Sequence, residues 1–379
     1  MMTCKALALA SSLVVMAGCG SVSPDDPTDV GVDSRVWLDA GPDAAPDAAD
    51  AGITSCACLP GPHGDLVYVL SHHAELYSFD PVTDQFAFVA NVSCDGQTDP
   101  YTLAVDHEGT FWMLFVGTRD LRTIAPGEPG ACGDPGFVSN LTDFPLFGMS
   151  FVGDENPGTC PELFAHSYSG SGPFDEGPSI GALGRYDAAA ETITSLASID
   201  YDGGELAGTG DGRLFAFAGV SPAKLVEYDR ATGAVVETIP LDGLHKTGAS
   251  AFAFFGGDLY FFTEAPPPGC DTCLDASCAQ AHTDCLADPV CAEHLGCLLA
   301  SGVFTDECGG EIFAPLLTCL NGPCAADCFP EHEDRLSQVV RFDLDDSEGN
   351  GQVLEVVVPE GPIRVVGAGT SPCVPYVPL

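Results

Sequence analysis

The stretch Leu225-Val226-Glu227-Tyr228-Asp229-Arg230-Ala231-Thr232-Gly233-Ala234-Val235-Val236 reads as two β-type runs joined by a turn. Its first half recurs at Leu76-Tyr77-Ser78-Phe79-Asp80, Leu121-Arg122-Thr123-Ile124-Ala125, Leu183-Gly184-Arg185-Tyr186-Asp187 and Val339-Val340-Arg341-Phe342-Asp343. Four of these five copies close in aspartate, and a turn follows. A recurrence of this kind identifies a repeat architecture before any strand is assigned singly.

A second element precedes the copies: an apolar run, a Gly/Asp turn and another apolar run. It is plain in Leu103 to Trp112, Leu206 to Phe215 and Ala251 to Tyr260, and Met149 to Phe164 is a longer version. The two elements together make four strands, a to d, which is the content of a β-propeller blade. Successive closing residues lie 45, 62, 42 and 114 residues apart, and a blade commonly takes about 40–45. The ends fit a closed ring. Asp65 to Leu70 supplies a first blade that lacks strand a, and Arg364 to Thr370 is an orphan strand that can fill the place. The expected fold is therefore an all-β, five-bladed propeller over residues 56–265 and 335–379. Six blades and an immunoglobulin-like array are the alternatives. The repeat character over residues 60–376 resembles bacterial propellers built from Leu-Tyr-x-Phe-Asp…Thr-Gly strands and turns, a likeness of repeat and not of catalytic family.

The interval of 114 residues exceeds one blade by a segment that runs from Pro266 to residue 334 and holds ten of the chain's eighteen cysteines. The expectation is a small, disulfide-rich helical insertion between strands b and c of the last blade. Asp288-Pro289 offers an N-cap and first helical position for Val290 to Ala300, and Asn321-Gly322 a stop for the run ending at Leu320. A segment of this size has too little apolar core to fold without staples. It resembles cysteine-rich helical inserts of exported bacterial lipoproteins.

The compartment follows from the first residues. Lys5 precedes an apolar run from Ala6 to Met16 that is too short to span a bilayer and has the layout of an export signal. Met16-Ala17-Gly18-Cys19 resembles the lipobox of bacterial lipoproteins. That resemblance implies a signal peptide over 1–18, lipidation at Cys19, and, with Gly20 following, an outer-membrane anchor facing the periplasm or the exterior. Residues 19–55 are rich in Asp, Ala and Pro and are expected to form a disordered tether. In an oxidising compartment the remaining cysteines are disulfide candidates: Cys56, Cys58, Cys94, Cys132, Cys160 and Cys373 on the ring, and Cys270, Cys273, Cys278, Cys285, Cys291, Cys297, Cys308, Cys319, Cys324 and Cys328 in the insertion. On the ring the expected pairs are Cys132 with Cys160 and Cys373 with Cys56 or Cys58, which leaves Cys94 for the other.

Twelve basic and 55 acidic residues give a formal charge of −43, which excludes nucleic acid as a partner because phosphates must be neutralised by Lys and Arg. In a propeller the d-to-a and b-to-c connections share the face that commonly binds ligands. Each d-to-a connection carries acid, namely Asp95 and Asp99, Asp143, Asp202 and Glu205, Asp242, and Glu360; of these Asp99, Asp143, Asp202, Asp242 and Glu360 are the candidate metal ligands, with calcium as the ion such oxygens would take. His72, His73, His166 and Glu264 lie on the same face and could hold a transition metal. Asp346-x-Glu348-x-Asn350-Gly351 has the opening of a calcium loop, but Val357 stands where the closing carboxylate belongs, so a turn is the better reading. The elbow, P-loop, dinucleotide and zincin signatures are absent. The reading favoured is a non-enzymatic, lipid-anchored monomer that binds a protein or glycan, with a calcium-dependent propeller hydrolase or lactonase as the alternative.

Overall fold

A computed structural model describes Cys56, Cys58 and residues 66–374, apart from 129–130, 155–158, 171–174, 220–221, 302–313, 332–334, 348 and 350. Cys19, the signal and tether segments and Cys308 lie outside the described residues.

The fold is a five-bladed β-propeller with the expected ring closure. Blade 1 contains β1 (Val67–Ser71), β2 (Glu75–Asp80) and β3 (Gln85–Asn91), and its inner strand is the C-terminal β20 (Val365–Gly369). Blade 2 is β4 (Pro100–Val105), β5 (Phe111–Phe115), β6 (Leu121–Ile124) and β7 (Cys132–Gly133). Blade 3 is β8 (Leu146–Val152), β9 (Glu162–Tyr168), β10 (Asp175–Asp187) and β11 (Thr192–Asp202). Blade 4 is β12 (Glu205–Gly208), β13 (Leu214–Gly219), β14 (Ala223–Tyr228) and β15 (Val235–Leu241). Blade 5 is β16 (Ser250–Phe255), β17 (Asp258–Glu264), β18 (Ser337–Phe342) and β19 (Leu354–Val358). All pairings are antiparallel, and Tyr68 opposite Gly369 is one rung of the closing ladder.

The repeated aspartate has a local cause. Asp229 accepts hydrogen bonds from the backbone N–H of Ala231 and Thr232 at 3.1 and 2.8 Å and from the Thr232 hydroxyl at 2.6 Å. Asp80 and Asp187 hold their turns in the same way. Each turn ends on a residue at positive φ, namely Asp84, Glu191 and Gly233. At Gly233 a Cβ would also stand 2.4 Å from that of Ala197, so glycine is required there. The copy that ends in Ala125 lacks this device, and strand d of its blade is only the two residues of β7.

Strand b of each blade is buried on both faces, which is why these segments read as unbroken apolar runs. Phe215 and Phe217 point into the core between blades 4 and 5, and Leu214, Ala216 and Ala218 into that between blades 3 and 4. Each junction between neighbouring blades has such a core, including the one across the closure, where Val67, Val69 and Phe79 meet Tyr260, Phe262 and Val339.

The insertion leaves blade 5 after β17 and returns before β18. Ala265 N–H donates to Leu336 O at 2.7 Å, so its two ends are neighbours in the ladder. It contains four helices among the described residues: α1 (Pro268–Leu286), α2 (Pro289–Ser301), α3 (Ala314–Leu320) and the single turn α4 (Ala325–Cys328). Asp288 caps α2, accepting from the N–H of Val290 and Cys291 at 3.0 and 3.2 Å. The core here is made of half-cystines around Leu274, Leu295, Leu316 and Leu320. Cys270–Cys328, Cys273–Cys324, Cys278–Cys319 and Cys285–Cys291 staple it, and Cys297 is also disulfide-bonded.

The ring disulfides are Cys56–Cys160, Cys58–Cys373 and Cys94–Cys132. Cys58 with Cys373 is one of the expected alternatives. Cys132 with Cys160 and Cys94 with Cys56 are not formed, because Cys132 faces the core between blades 1 and 2, where Cys94 is buried, whereas Cys160 sits beyond β8 in blade 3 and takes Cys56. Disulfides in this number belong to an oxidising compartment such as the cell envelope or exterior. Among the described residues, no helix is long and apolar enough to cross a membrane.

Candidate functional site

The inner strands begin on the face that carries the insertion, and their first residues surround a cavity of about 260 Å³. Blade 1 contributes Arg364 and His72, blade 2 Asp99 and Tyr101, blade 4 Glu205, and blade 5 Lys246. The cavity is therefore lined by four of the five blades and not by one loop. Two close approaches shape its wall. A Cβ on Gly148 would lie 2.3 Å from Gly204 O and 3.0 Å from Glu205 Oε2, and one on Gly204 would lie 2.6 Å from His166 Nε2. Glycine at these two positions lets blades 3 and 4 come together beneath Glu205.

Glu205 and Lys246 are both buried. Glu205 Oε2 accepts from the Thr102 hydroxyl at 2.9 Å, and Lys246 Nζ donates to Gly203 O. Burial pushes the Glu205 carboxyl up to about 8, with Lys246 and Thr102 opposing. Burial likewise pulls the Lys246 ammonium down to about 7, with Glu205 and Asp202 opposing. His166 is fully buried, and its Nδ1 lies 3.0 Å from Gly204 N and 3.2 Å from Ser167 O. Burial, then the nearby Lys246, lowers this histidine to about 3, so it is neutral. Tyr101 stacks on Tyr168, with ring centroids 6.1 Å apart.

Beside this cavity a buried charge network joins the ring to the insertion. Glu264, at the end of β17, takes Arg335 at 2.8 Å on Oε2 and Arg364 at 2.7 Å on Oε1. Arg335 also donates to the carbonyls of Leu299 and Ala300 at 2.9 and 3.0 Å, at the C-terminal end of α2. Burial lowers the Arg335 guanidinium, and Glu264 counters it. A second cavity of about 320 Å³ lies between α2 and the ring, lined by Leu244, His245, Thr247, Leu286, Leu295 and Leu299 among others. Adjacent residues thus serve both spaces, Lys246 the central one and Thr247 the outer one.

Asp99 lines the central cavity. Asp202 accepts from Ser169 N–H at 2.8 Å and lies close enough to Lys246 to support its charge. Asp143 is engaged with Asn140 at 3.3 Å, and Asp242 and Glu360 are exposed. Of the histidine candidates, His72 lines the cavity, His73 stacks on His72, His166 is sealed behind Gly204, and Glu264 is taken by two arginines. Among the described residues, one group of three acids comes within metal-ligand reach, namely Asp258, Asp343 and Asp345 at the a-to-b and c-to-d turns of blade 5. It lies on the opposite face from the cavity and includes none of the nine candidates. Within the Asp346 segment, Asp346 Oδ1 accepts from Gly351 N–H at 2.7 Å, as a turn requires, while residues 348 and 350 are outside the described set.

Lys246, Arg364, Arg335 and Tyr101 were not singled out by motif reasoning. The available signal for Lys246 was rarity, since the chain has only Lys5, Lys224 and Lys246.

No known family matches the sequence, and no curated protein matches it. A solved structure described as "Structure of Dos1 propeller" is similar at 10% identity over 52% of this chain, with a TM-score of 0.33. The match spans 50% of that chain, about half its length.

Proposed function

We propose that this protein is a lipid-anchored envelope binding module that takes a small polar solute in its central cavity. The single observation that carries the reading is the convergence of Asp99, Tyr101, Glu205, Lys246 and Arg364, from four blades, on one cavity of about 260 Å³. Concave sites with a few convergent polar groups and perturbed ionisable residues are where ligands bind. The export run and the Met16–Cys19 lipobox support the anchor, and the disulfides support the compartment. The insertion, which exposes Leu286, Val290 and Leu317, offers a protein or glycan partner a rigid surface beside the mouth.

The test is a thermal-shift screen of small polar solutes against the protein and a Val366→Phe variant. Val366 lines the cavity, so the added ring fills it. Solutes that raise the midpoint of the parent but not of the variant support the reading. A screen in which every effective solute acts equally on both overturns it. The second reading, a propeller hydrolase, draws on the buried Glu205 and Lys246, which could act as an acid–base pair. Turnover of an ester or lactone, lost in Glu205→Gln, would favour it over simple binding.

A further inference from the structure

Resting on the binding reading above, we propose that the solute is a small zwitterion, a free amino acid or a compound with the same pairing of carboxylate and ammonium. Two observations converge on this class.

The first is the placement of charge around the cavity. The chain has 12 basic residues in 379, yet two of them, Lys246 and Arg364, line this one cavity. They come from blades 5 and 1, which are neighbours across the ring closure. The acids Asp99 and Glu205 come from blades 2 and 4. Glu205 is the partner of Lys246, which leaves Arg364 as the fixed cation of the cavity and Asp99, on the neighbouring blade 2, as its exposed acid. Arg364 is fixed in place by Glu264, which takes its Nε, and by His72, whose N–H donates to the Arg364 carbonyl at 3.1 Å. A carboxylate suits the Arg364 guanidinium, and an ammonium suits the exposed carboxylate of Asp99 on the neighbouring blade, so one compact molecule can meet both.

The second is the field outside. A formal charge of −43 repels anions at long range, so a simple carboxylate is disfavoured before it reaches Arg364. A simple cation is attracted everywhere but meets Lys246 and Arg364 inside. A solute with no net charge and both charged groups passes both filters. The volume of about 260 Å³ falls just below the usual range for drug-sized ligands, roughly 300–1,000 Å³, and limits the solute to a compact one.

The experiment is isothermal titration calorimetry on the purified, disulfide-intact protein with matched triplets of probes. Each triplet is a free amino acid, the same molecule without its amino group, and the same molecule without its carboxylate. Alanine, propionate and ethylamine are the smallest set. The amino acid is expected to bind at least about tenfold more tightly than either fragment, since each fragment loses one charge-assisted contact. Asp99→Asn should lower amino-acid affinity towards that of the carboxylate alone and leave the carboxylate's own affinity unchanged. Because Asp99 is exposed, this variant keeps its fold. Equal binding of propionate and alanine, or of ethylamine and alanine, overturns the zwitterion while leaving a binding cavity. So does an Asp99→Asn variant that binds alanine as the parent does. If no triplet gives heat, the zwitterion is overturned, and the Val366→Phe screen decides separately whether the cavity binds anything else.

Discussion

Replacing Arg335 with methionine should loosen the insertion from the ring, because its side chain bridges Glu264 of β17 and the end of α2. Its side chain is 1% exposed and that of its partner Glu264 is 0% exposed. Arg335 satisfies the Glu264 carboxylate at 2.8 Å and the carbonyls of Leu299 and Ala300 at 2.9 and 3.0 Å. Methionine fills similar space but donates nothing, so Glu264 loses its Arg335 ion pair and the end of α2 loses two capping donors. Removing one partner of a buried pair typically costs about 3–5 kcal/mol, since the other charge remains in a poor solvent. The expected loss in denaturant-derived stability is therefore about 3 kcal/mol or more, taken at the low end because Arg364 still faces Glu264. Hydrogen exchange should quicken selectively in α2, while β12 and β13 in blade 4 keep their protection. Unchanged stability and unchanged exchange in α2 for Arg335→Met would refute the argument.

Three further outcomes follow from the same structure. His166 is held at about 3 in the folded protein against 6.5 when free, so the unfolded chain binds the extra proton between these values. Its contribution is complete above pH 6.5 and lost as pH falls towards 3, at roughly 1.4 kcal/mol per pH unit. In His166→Asn, whose amide oxygen can still accept from Gly204, stability measured by denaturation should lack this component of the acid slope. Cys58–Cys373 joins positions 315 residues apart, so Cys58→Ser with Cys373→Ser should destabilise the ring closure, by about 6 kcal/mol at most on loop entropy. The readout is the unfolding midpoint under non-reducing conditions. Finally, replacing residues 266–334 by a short Gly/Ser turn should give a protein that unfolds cooperatively with its β circular-dichroism signal intact. Ala265 and Leu336 are already hydrogen-bonded neighbours, and a tight turn suffices to join such strands. A product without cooperative unfolding would show that the insertion belongs to the core.

The ring was legible because two local rules repeat. An aspartate at the end of strand c builds its own turn, as Asp229 does through Thr232, and strand b must be apolar on both faces, as Phe215 to Ala218 are. Both rules act within a dozen residues, so they survive in the sequence as spacing. The disulfide pairing of Cys132 did not, because it depends on which side of a two-residue strand the sulfur faces. The acids of the mouth were hard to rank for another reason. With 55 of them in the chain, an acid in a loop carries little information, and Glu205 differs from Asp242 only by being buried under two blades.

The cations carried the missing information. A net charge of −43 meets the demands of solubility without basic residues, so those among the described residues are best read through their local partners. Arg213 with Glu227 and Arg341 with Glu355 clamp neighbouring strands within blades 4 and 5. Arg230 ties blade 4 to Gly153 and Asp154 of blade 3. Arg335, Arg364 and Lys246 do something different, since all three lie where blade 5, blade 1 and the insertion meet. Here a polar interior needs donors that backbone strands, already paired with one another, do not supply. A solute that engages Arg364 therefore touches the same guanidinium that steadies Glu264, and through it Arg335 and the end of α2. The insertion and the cavity are joined by one buried carboxylate, which makes Glu264 the residue whose replacement should disturb both at once.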